Sequence, residues 1–299
     1  MVHKAGMAAL IGKPNVGKST ILNALVGQKV SIVSDKPQTT RRRVLGIVTG
    51  EGFQVGFLDT PGFHEPHTRL GRAMVEQAKS ALADVDAIVA VVDVSKAPDR
   101  LDHHLAGLVI AATEGSPEKR VVCLNKMDLL PPEFVTERVG EYQRLFRSEA
   151  SMFTSATKRH NLDKLLDLIV ERLPESPALF PEDEFTDQPA RFLVAELIRE
   201  RVLVSTRQEV PYAAAVRIDD WAEDEKALLR ISASILVERP GQKAIVIGKG
   251  GAQIKKIGTE ARKEIEALLG RHVFLELHVA VRVDWRMNMG HLRELEYAE

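Results

Sequence analysis

Gly12-Lys13-Pro14-Asn15-Val16-Gly17-Lys18-Ser19 has the spacing of a phosphate cradle: a glycine, four residues, then glycine, lysine and a hydroxyl. Gly12 and Gly17 permit backbone angles that a β-carbon obstructs. Successive N–H groups can then turn inward at a helix N-terminus and form an anion nest. The Lys18 ammonium is placed to reach β- and γ-phosphates, and the Ser19 hydroxyl to ligate Mg2+. The competing reading is a tight turn that binds nothing, and the flanks argue against it. Met7–Ile11 is a short apolar run suited to a buried strand, and Ile21, Leu22, Leu25 and Val26 fall at helical spacing.

Two further stretches complete a ligand site. Asp59-Thr60-Pro61-Gly62 ends a strand-like run. A carboxylate there can hold Mg2+ through a water, and the Gly62 N–H can meet a γ-phosphate. Asn125-Lys126-Met127-Asp128 ends another such run. The Asp128 carboxylate can accept from guanine N1–H and the N2 amino group, and adenine lacks both donors, so the pattern selects guanine. Asn125 is expected to brace the loops, and the Lys126 stem to lie against the base. Ser155-Ala156-Thr157 follows a last short strand, where the Ala156 N–H can meet the guanine carbonyl. D-x-x-G, N-K-x-D and S-A-T are each common turn material alone; their order and spacing after the glycine loop give them weight.

A second phosphate-binding pattern lies near the other end. Gly248-Lys249-Gly250-Gly251 joins two helical stretches, and between Gly241 and His272 the basic residues Lys243, Lys249, Lys255, Lys256, Arg262, Lys263 and Arg271 outnumber Glu260, Glu264 and Glu266. Such a loop can press against a sugar-phosphate backbone. Ile245, Val246 and Ile257 are expected to wall an apolar groove for unpaired bases. A plain helix-connecting turn is the alternative.

These residues need a scaffold. The chain has 299 residues, 44% of them hydrophobic and 28% charged, enough for about two globular domains. The net charge of −1 makes no general case for nucleic acid, so any RNA affinity must be local. The single Cys123 excludes an internal disulfide and reads as a buried strand residue. No signal pattern precedes the first strand, and no apolar run approaches the ~20 residues of a membrane span. Strands are expected over 44–50, 53–58, 86–94, 120–124 and 150–154, with 44–58 a hairpin turning at Glu51-Gly52. Helices are expected over 72–83, 99–112, 133–146 and 161–173, the last capped by Asn161. Residues 30–43 read as a mobile loop. The alternation predicts a mainly parallel sheet with its motifs at the strands' C-terminal ends. Residues 175–188, rich in Pro and acids, read as a linker between domains at 1–174 and 189–299. Beyond it, helices over 189–204 and 252–269 flank strands over 212–218, 228–237 and 272–283.

The order G-K-P-N-V-G-K-S, P-Q-T-T-R, D-T-P-G-F, N-K-M-D and S-A-T, followed by V-I-G-K-G-G, resembles the Era-like family of bacterial GTPases over nearly the whole chain. The resemblance implies an α/β Ras-like P-loop GTPase domain, its mainly parallel sheet carrying one antiparallel edge strand, followed by an α+β type II KH domain. It implies GTP and GDP with Mg2+ as ligands, and nucleotide contacts from Gly12 through Ser19, Asp59 through Phe63, Asn125, Lys126, Asp128, Ser155 and Ala156. Ser19, Thr40 and Asp59 are the expected Mg2+ ligands, Asp59 through water, with Thr39 a neighbouring alternative to Thr40. Lys18, Thr40, Asn15 and Gly62 are the expected catalytic set. Phe63 stands where Ras-like enzymes carry a water-orienting glutamine. The resemblance then implies a K+ ion at Asn15 and slow intrinsic hydrolysis. RNA contacts fall to Gly248, Lys249, Gly250, Gly251, Lys243, Lys255 and Lys256, with the 3′ region of 16S rRNA and 30S assembly as the implied setting. A cytoplasmic monomer with a peripheral inner-membrane fraction and no DNA partner is expected. The alternative is an assembly module whose nucleotide turns over little. Arg41 to Arg43 read as either RNA-facing or solvated.

Overall fold

The computed structural model describes residues 3–223 and 228–298. The chain divides into two compact units with the main break at Asp187/Gln188; the short stretches 34–36 and 67–70 group with the second.

The first unit carries β1 (Lys4–Ile11), α1 (Lys18–Val26), β2 (Val44–Gly50), β3 (Phe53–Asp59), α2 (Arg69–Ser80), β4 (Ala87–Asp93), α3 (Arg100–Ala112), β5 (Arg120–Asn125), α4 (Val135–Phe146), β6 (Ser151–Phe153) and α5 (Leu162–Val170). Among the described residues its sheet runs β2-β3-β1-β4-β5-β6. Only the β2–β3 pair is antiparallel, closing across Glu51-Gly52 as the hairpin pattern predicts. The parallel strands are covered on both faces, which is why β4 reads as an unbroken apolar run and is buried at every position. Helix α3 starts at a capping box in which the Asp99 carboxylate accepts the Leu101 and Asp102 N–H groups.

Four expectations shift. Helix α2 begins a turn earlier than 72–83 and ends at Ser80. Asn161 adopts a left-handed conformation (φ 55°) and does not cap α5 through its side chain; its Nδ2 donates to Phe153 O at 2.9 Å instead. The loop at 30–43 is irregular as read, but Val30 to Ile32, Thr40 and Arg41 are buried, so Arg41 is neither solvated nor open to RNA. Residues 175–187 lie hydrogen-bonded along the first unit: Leu179 and Phe180 donate to Gln54 Oε1 (2.7 and 2.8 Å), Thr186 Oγ1 donates to Leu45 O (2.6 Å), and Ile47 N donates to Phe185 O (2.9 Å).

The second unit carries α6 (Ala190–Ser205), α7 (Val210–Ala213), β7 (Ala215–Glu223), β8 (Leu229–Val237), α8 (Pro240–Ile247), α9 (Ala252–Leu269), β9 (Val273–Val281) and α10 (Met289–Glu294). Its sheet, β7-β8-β9, pairs β7 antiparallel and β9 parallel to β8. Along β8, Leu229, Ile231, Ala233, Ile235 and Val237 are buried in one core with Val194, Ile198, Val202, Ile257, Ala261 and Ile265, but in-and-out alternation stops at Ala233, because Ser234 and Leu236 are buried as well. Val204, near the end of α6, is exposed; the 3.6-residue repeat puts Val194, Ile198 and Val202 on its buried face. Tyr212 falls in α7 rather than in a strand.

Candidate functional site

The glycine loop turns between β1 and α1. Gly17 takes φ 105°, and a β-carbon there would collide with Asn125 Nδ2. Gly12 serves by closeness rather than by angle: a β-carbon would run into the Val91 carbonyl of β4. The left-handed turn expected of Gly12 is made by Asn15, at φ 62°. Pro14 closes the approach on the far side, 2.8 Å from where a Gly62 β-carbon would sit.

Lys18 is buried and donates to Gly12 O (3.1 Å) and Lys13 O (3.0 Å). Burial pushes its ammonium down to about 8, against the attraction of Asp59. Asp59 ends β3 with no exposure. Its Oδ2 accepts from Ser19 Oγ (2.6 Å), Ser31 Oγ (2.8 Å) and Thr40 Oγ1 (3.5 Å), and Ser19 Oγ lies 2.9 Å from Thr40 Oγ1. Oδ1 is buried without a hydrogen-bond partner among the described residues. Burial raises the Asp59 pKa, and Lys18 and the three hydroxyls hold it down. A carboxylate with one orphaned oxygen among hydroxyls is a hard-oxygen donor set that fits Mg2+. Among the described residues no group of three or more His, Cys, Asp and Glu could hold a metal ion. Sequence reasoning missed Ser31, whose place is set by Asn23: its Oδ1 accepts from Val30 N and Ser31 N, both at 3.0 Å.

Asn125 is the brace the sequence predicts. It is 2% exposed, its Nδ2 donates to Val16 O (2.8 Å), and its Oδ1 accepts from Thr154 Oγ1 (3.1 Å) and Ala156 N (3.0 Å). The Ala156 N–H expected to meet guanine is therefore already engaged, and a base carbonyl has to share it. Lys126 Nζ pairs with Asp93 Oδ2 at 2.8 Å. Asp128 is exposed, with Lys158 Nζ 3.6 Å away; the Ser155 side chain and Lys158 hold its carboxyl below the usual range. An ionised, reachable acceptor is what guanine recognition requires. Thr60 Oγ1 donates to Leu10 O (2.8 Å), Phe63 N donates to Gly12 O (3.0 Å), and the Phe63 ring packs in the core. Cys123 is buried and its thiol is pushed up to about 12 by that burial, so it is inert as expected.

In the second unit, Gly248, Gly250 and Gly251 all take positive φ (73°, 60° and 77°), folding the loop between α8 and α9 into one tight turn. Lys249, Lys255 and Lys256 are exposed; Lys243 is half-buried. The expected groove is displaced. Val246 and Ile257 are core residues with no exposure. A cleft of about 340 Å³ lies between α9 and β9, lined by Ile254, Lys255, Gly258, Arg262, Leu275 and Leu277 among others. Alternation along β9 and the helical face of Lys255 and Arg262 could have located it.

A phosphate loop, a carboxylate at the end of β3 and a guanine-reading loop on a β2-β3-β1-β4-β5-β6 sheet, together with a helix–G-x-x-G–helix unit on a three-stranded sheet, define a Ras-like P-loop GTPase carrying a C-terminal KH domain. The comparisons agree. The family model for 50S ribosome-binding GTPases matches residues 7–126, and that for the KH domain matches residues 209–286. GTPase Era of Heliobacterium modesticaldum is 43% identical, covering 99% of this chain and 98% of its own. That of Leuconostoc citreum is 47% identical, covering 99% and 97%. A solved structure of an Aquifex aeolicus Era variant with GDP and AlF4− is similar at TM-score 0.94 and 40% identity, over 99% of this chain and 100% of that one. A structure of Era with MgGDPNP and nucleotides 1506–1542 of 16S ribosomal RNA matches equally well: TM-score 0.94, 40% identity, 99% and 100% coverage. The chain belongs to the Era GTPase family.

Proposed function

We propose that this protein is a GTP-hydrolysing, RNA-binding switch that acts in assembly of the 30S subunit and binds the 3′ region of 16S rRNA through its KH domain. The observation that carries the nucleotide half is the convergence of Ser19, Thr40 and the orphaned Asp59 carboxylate beside Lys18. The RNA half is supported by the loop at Gly248–Gly251 and by the similar structure that holds a 16S fragment, an RNA of the small subunit.

Ser19, Thr40 and Asp59 would hold Mg2+, which would supply positive charge to offset that of the nucleotide's phosphates. The chain's own residues orient the rest. The loop N–H groups and Lys18 bind phosphate, Thr40 and Gly62 bring their loops to the γ-phosphate, and Asp128 selects guanine. Losing the γ-phosphate frees those two loops, and that change biases RNA binding. The Phe63 ring packs in the core and has no group to orient water, so intrinsic hydrolysis is slow. Asn15 would hold a K+ ion, which would supply positive charge where other GTPases use an arginine. The protein works as a cytoplasmic monomer with a peripheral membrane-bound fraction. The packing of Phe63 also favours a second reading, an assembly module with little turnover. Single-turnover phosphate release, in K+ and in Na+, with and without a 16S 3′-end RNA, tests these points. K+-dependent release that RNA accelerates supports the switch; equal release in both salts, unchanged by Asn15→Ala, removes the K+ role. Release too slow to follow even with RNA supports the module.

A further inference from the structure

Lys13 sits inside the phosphate loop, yet its ammonium is committed to α3: Nζ lies 2.7 Å from Asp99 Oδ2 and 2.6 Å from Asp102 Oδ2. Asp102 has no exposure. Its Oδ2 also accepts the Asp99 N–H (2.9 Å), and its Oδ1 has no hydrogen-bond partner among the described residues. A capping box needs only a polar acceptor at this position, and caps normally keep their carboxylate in water. Burying a carboxylate is costly without a facing cation, and that cation is Lys13. The other end of the same residue completes the link. Lys13 O accepts the Lys18 ammonium at 3.0 Å, next to Gly12 O at 3.1 Å. Helix α3 is a firm anchor, capped by Asp99 and buried through Leu105, Ala106 and Val109.

We propose that Asp102 is a positioning residue for the phosphate loop, acting through Lys13. It fixes the loop peptides that form the anion nest and the carbonyl that aims Lys18. Two carboxylates face Lys13, so that side chain brings no net positive charge to the ligand. Its contribution is to hold the loop in binding geometry before phosphate arrives. The proposal rests on reading Gly12–Ser19 as the phosphate site.

The test is GDP binding and release with a fluorescent GDP analogue, using the full chain with Mg2+. The native protein is compared with Lys13→Met, Asp102→Asn, Lys13→Arg and the Met/Asn double variant. If the unanchored loop holds its geometry about a tenth of the time, Kd rises about tenfold. Each of Lys13→Met and Asp102→Asn is expected to show that loss and faster release. The double variant is no weaker than the worse single, because both remove one interaction. Lys13→Arg restores native binding to within about twofold, since it keeps the charge that the carboxylates face. The preference for GDP over IDP, read by Asp128, stays unchanged in all, a result that general unfolding would not give. GDP binding by Lys13→Met within about twofold of native overturns the proposal. So does a double variant in which the two losses multiply. Should Asp102→Asn fail to fold, Lys13→Met, altered at a partly exposed side chain, decides alone. A native chain that binds no GDP removes the phosphate-site reading itself, a different outcome from native binding with indifferent variants.

Discussion

Asn125→Asp separates bracing from shape, because the replacement is nearly isosteric. In the native chain, Nδ2 donates to Val16 O at 2.8 Å while Oδ1 takes Thr154 Oγ1 and Ala156 N. An ionised carboxyl keeps the two acceptor contacts and turns the third into two oxygens facing each other. Leaving the Val16 carbonyl unsatisfied costs about 1–3 kcal/mol. The buried charge, at a site 2% exposed, adds to that until the group protonates. The total is about 3 kcal/mol, roughly a hundredfold in the folding equilibrium. The introduced carboxyl's pKa is raised in the folded state, so the native state binds more protons, and the variant's deficit grows as pH rises through that raised value. Urea unfolding of the nucleotide-free chain at pH 5 and pH 8 measures both effects, and GDP release reports the loosened loops. A variant within about 0.5 kcal/mol of native at pH 8, with unchanged GDP release, refutes the bracing role.

Three further outcomes are expected. Lys18 is held near 8 against an ordinary 10.5, so between those values the unfolded chain carries a proton that the folded chain has lost. Stability of the native chain relative to Lys18→Met therefore rises across pH 8–10.5, by up to about 3 kcal/mol at 1.36 kcal/mol per pH unit, and bound GDP removes the rise. Urea titrations across that range check it. Gly250→Asp forces a side chain into a position at φ 60° and sets a negative charge in the basic loop; RNA affinity should fall at least about tenfold in a binding titration while GDP affinity holds. Gln54→Leu strips the acceptor from the Leu179 and Phe180 amides, at a cost of about 2 kcal/mol. Hydrogen exchange at those two amides should quicken with the α9 amides unaffected.

What could be read from the sequence follows from where the physics is local. The glycine loop and β4 announce themselves through backbone angles and an unbroken apolar run, within a few residues. Asn125 was legible as a brace because side-chain chemistry and spacing leave an amide at a strand end few other uses. Ser31 was not, because its contact with Asp59 depends on Asn23 holding a loop that has no periodicity. Gln54 and residues 175–187 were not, because a buried glutamine pairing with backbone over a hundred residues away leaves no pattern in either stretch. The apolar groove was misplaced for a related reason: Val246 and Ile257 are apolar whether they line a groove or fill a core, and only the packing of α9 against β9 chooses.

Calorimetric titration of the full chain with GDP and with ADP, Mg2+ present, tests the central claim most directly, since it asks at once whether the loop at Gly12–Ser19 holds phosphate and whether Asp128 chooses the base. The structure predicts GDP binding at least about a thousandfold tighter than ADP binding, lost in Lys18→Met. Equal affinity for the two nucleotides, or no heat with either on folded protein, contradicts it.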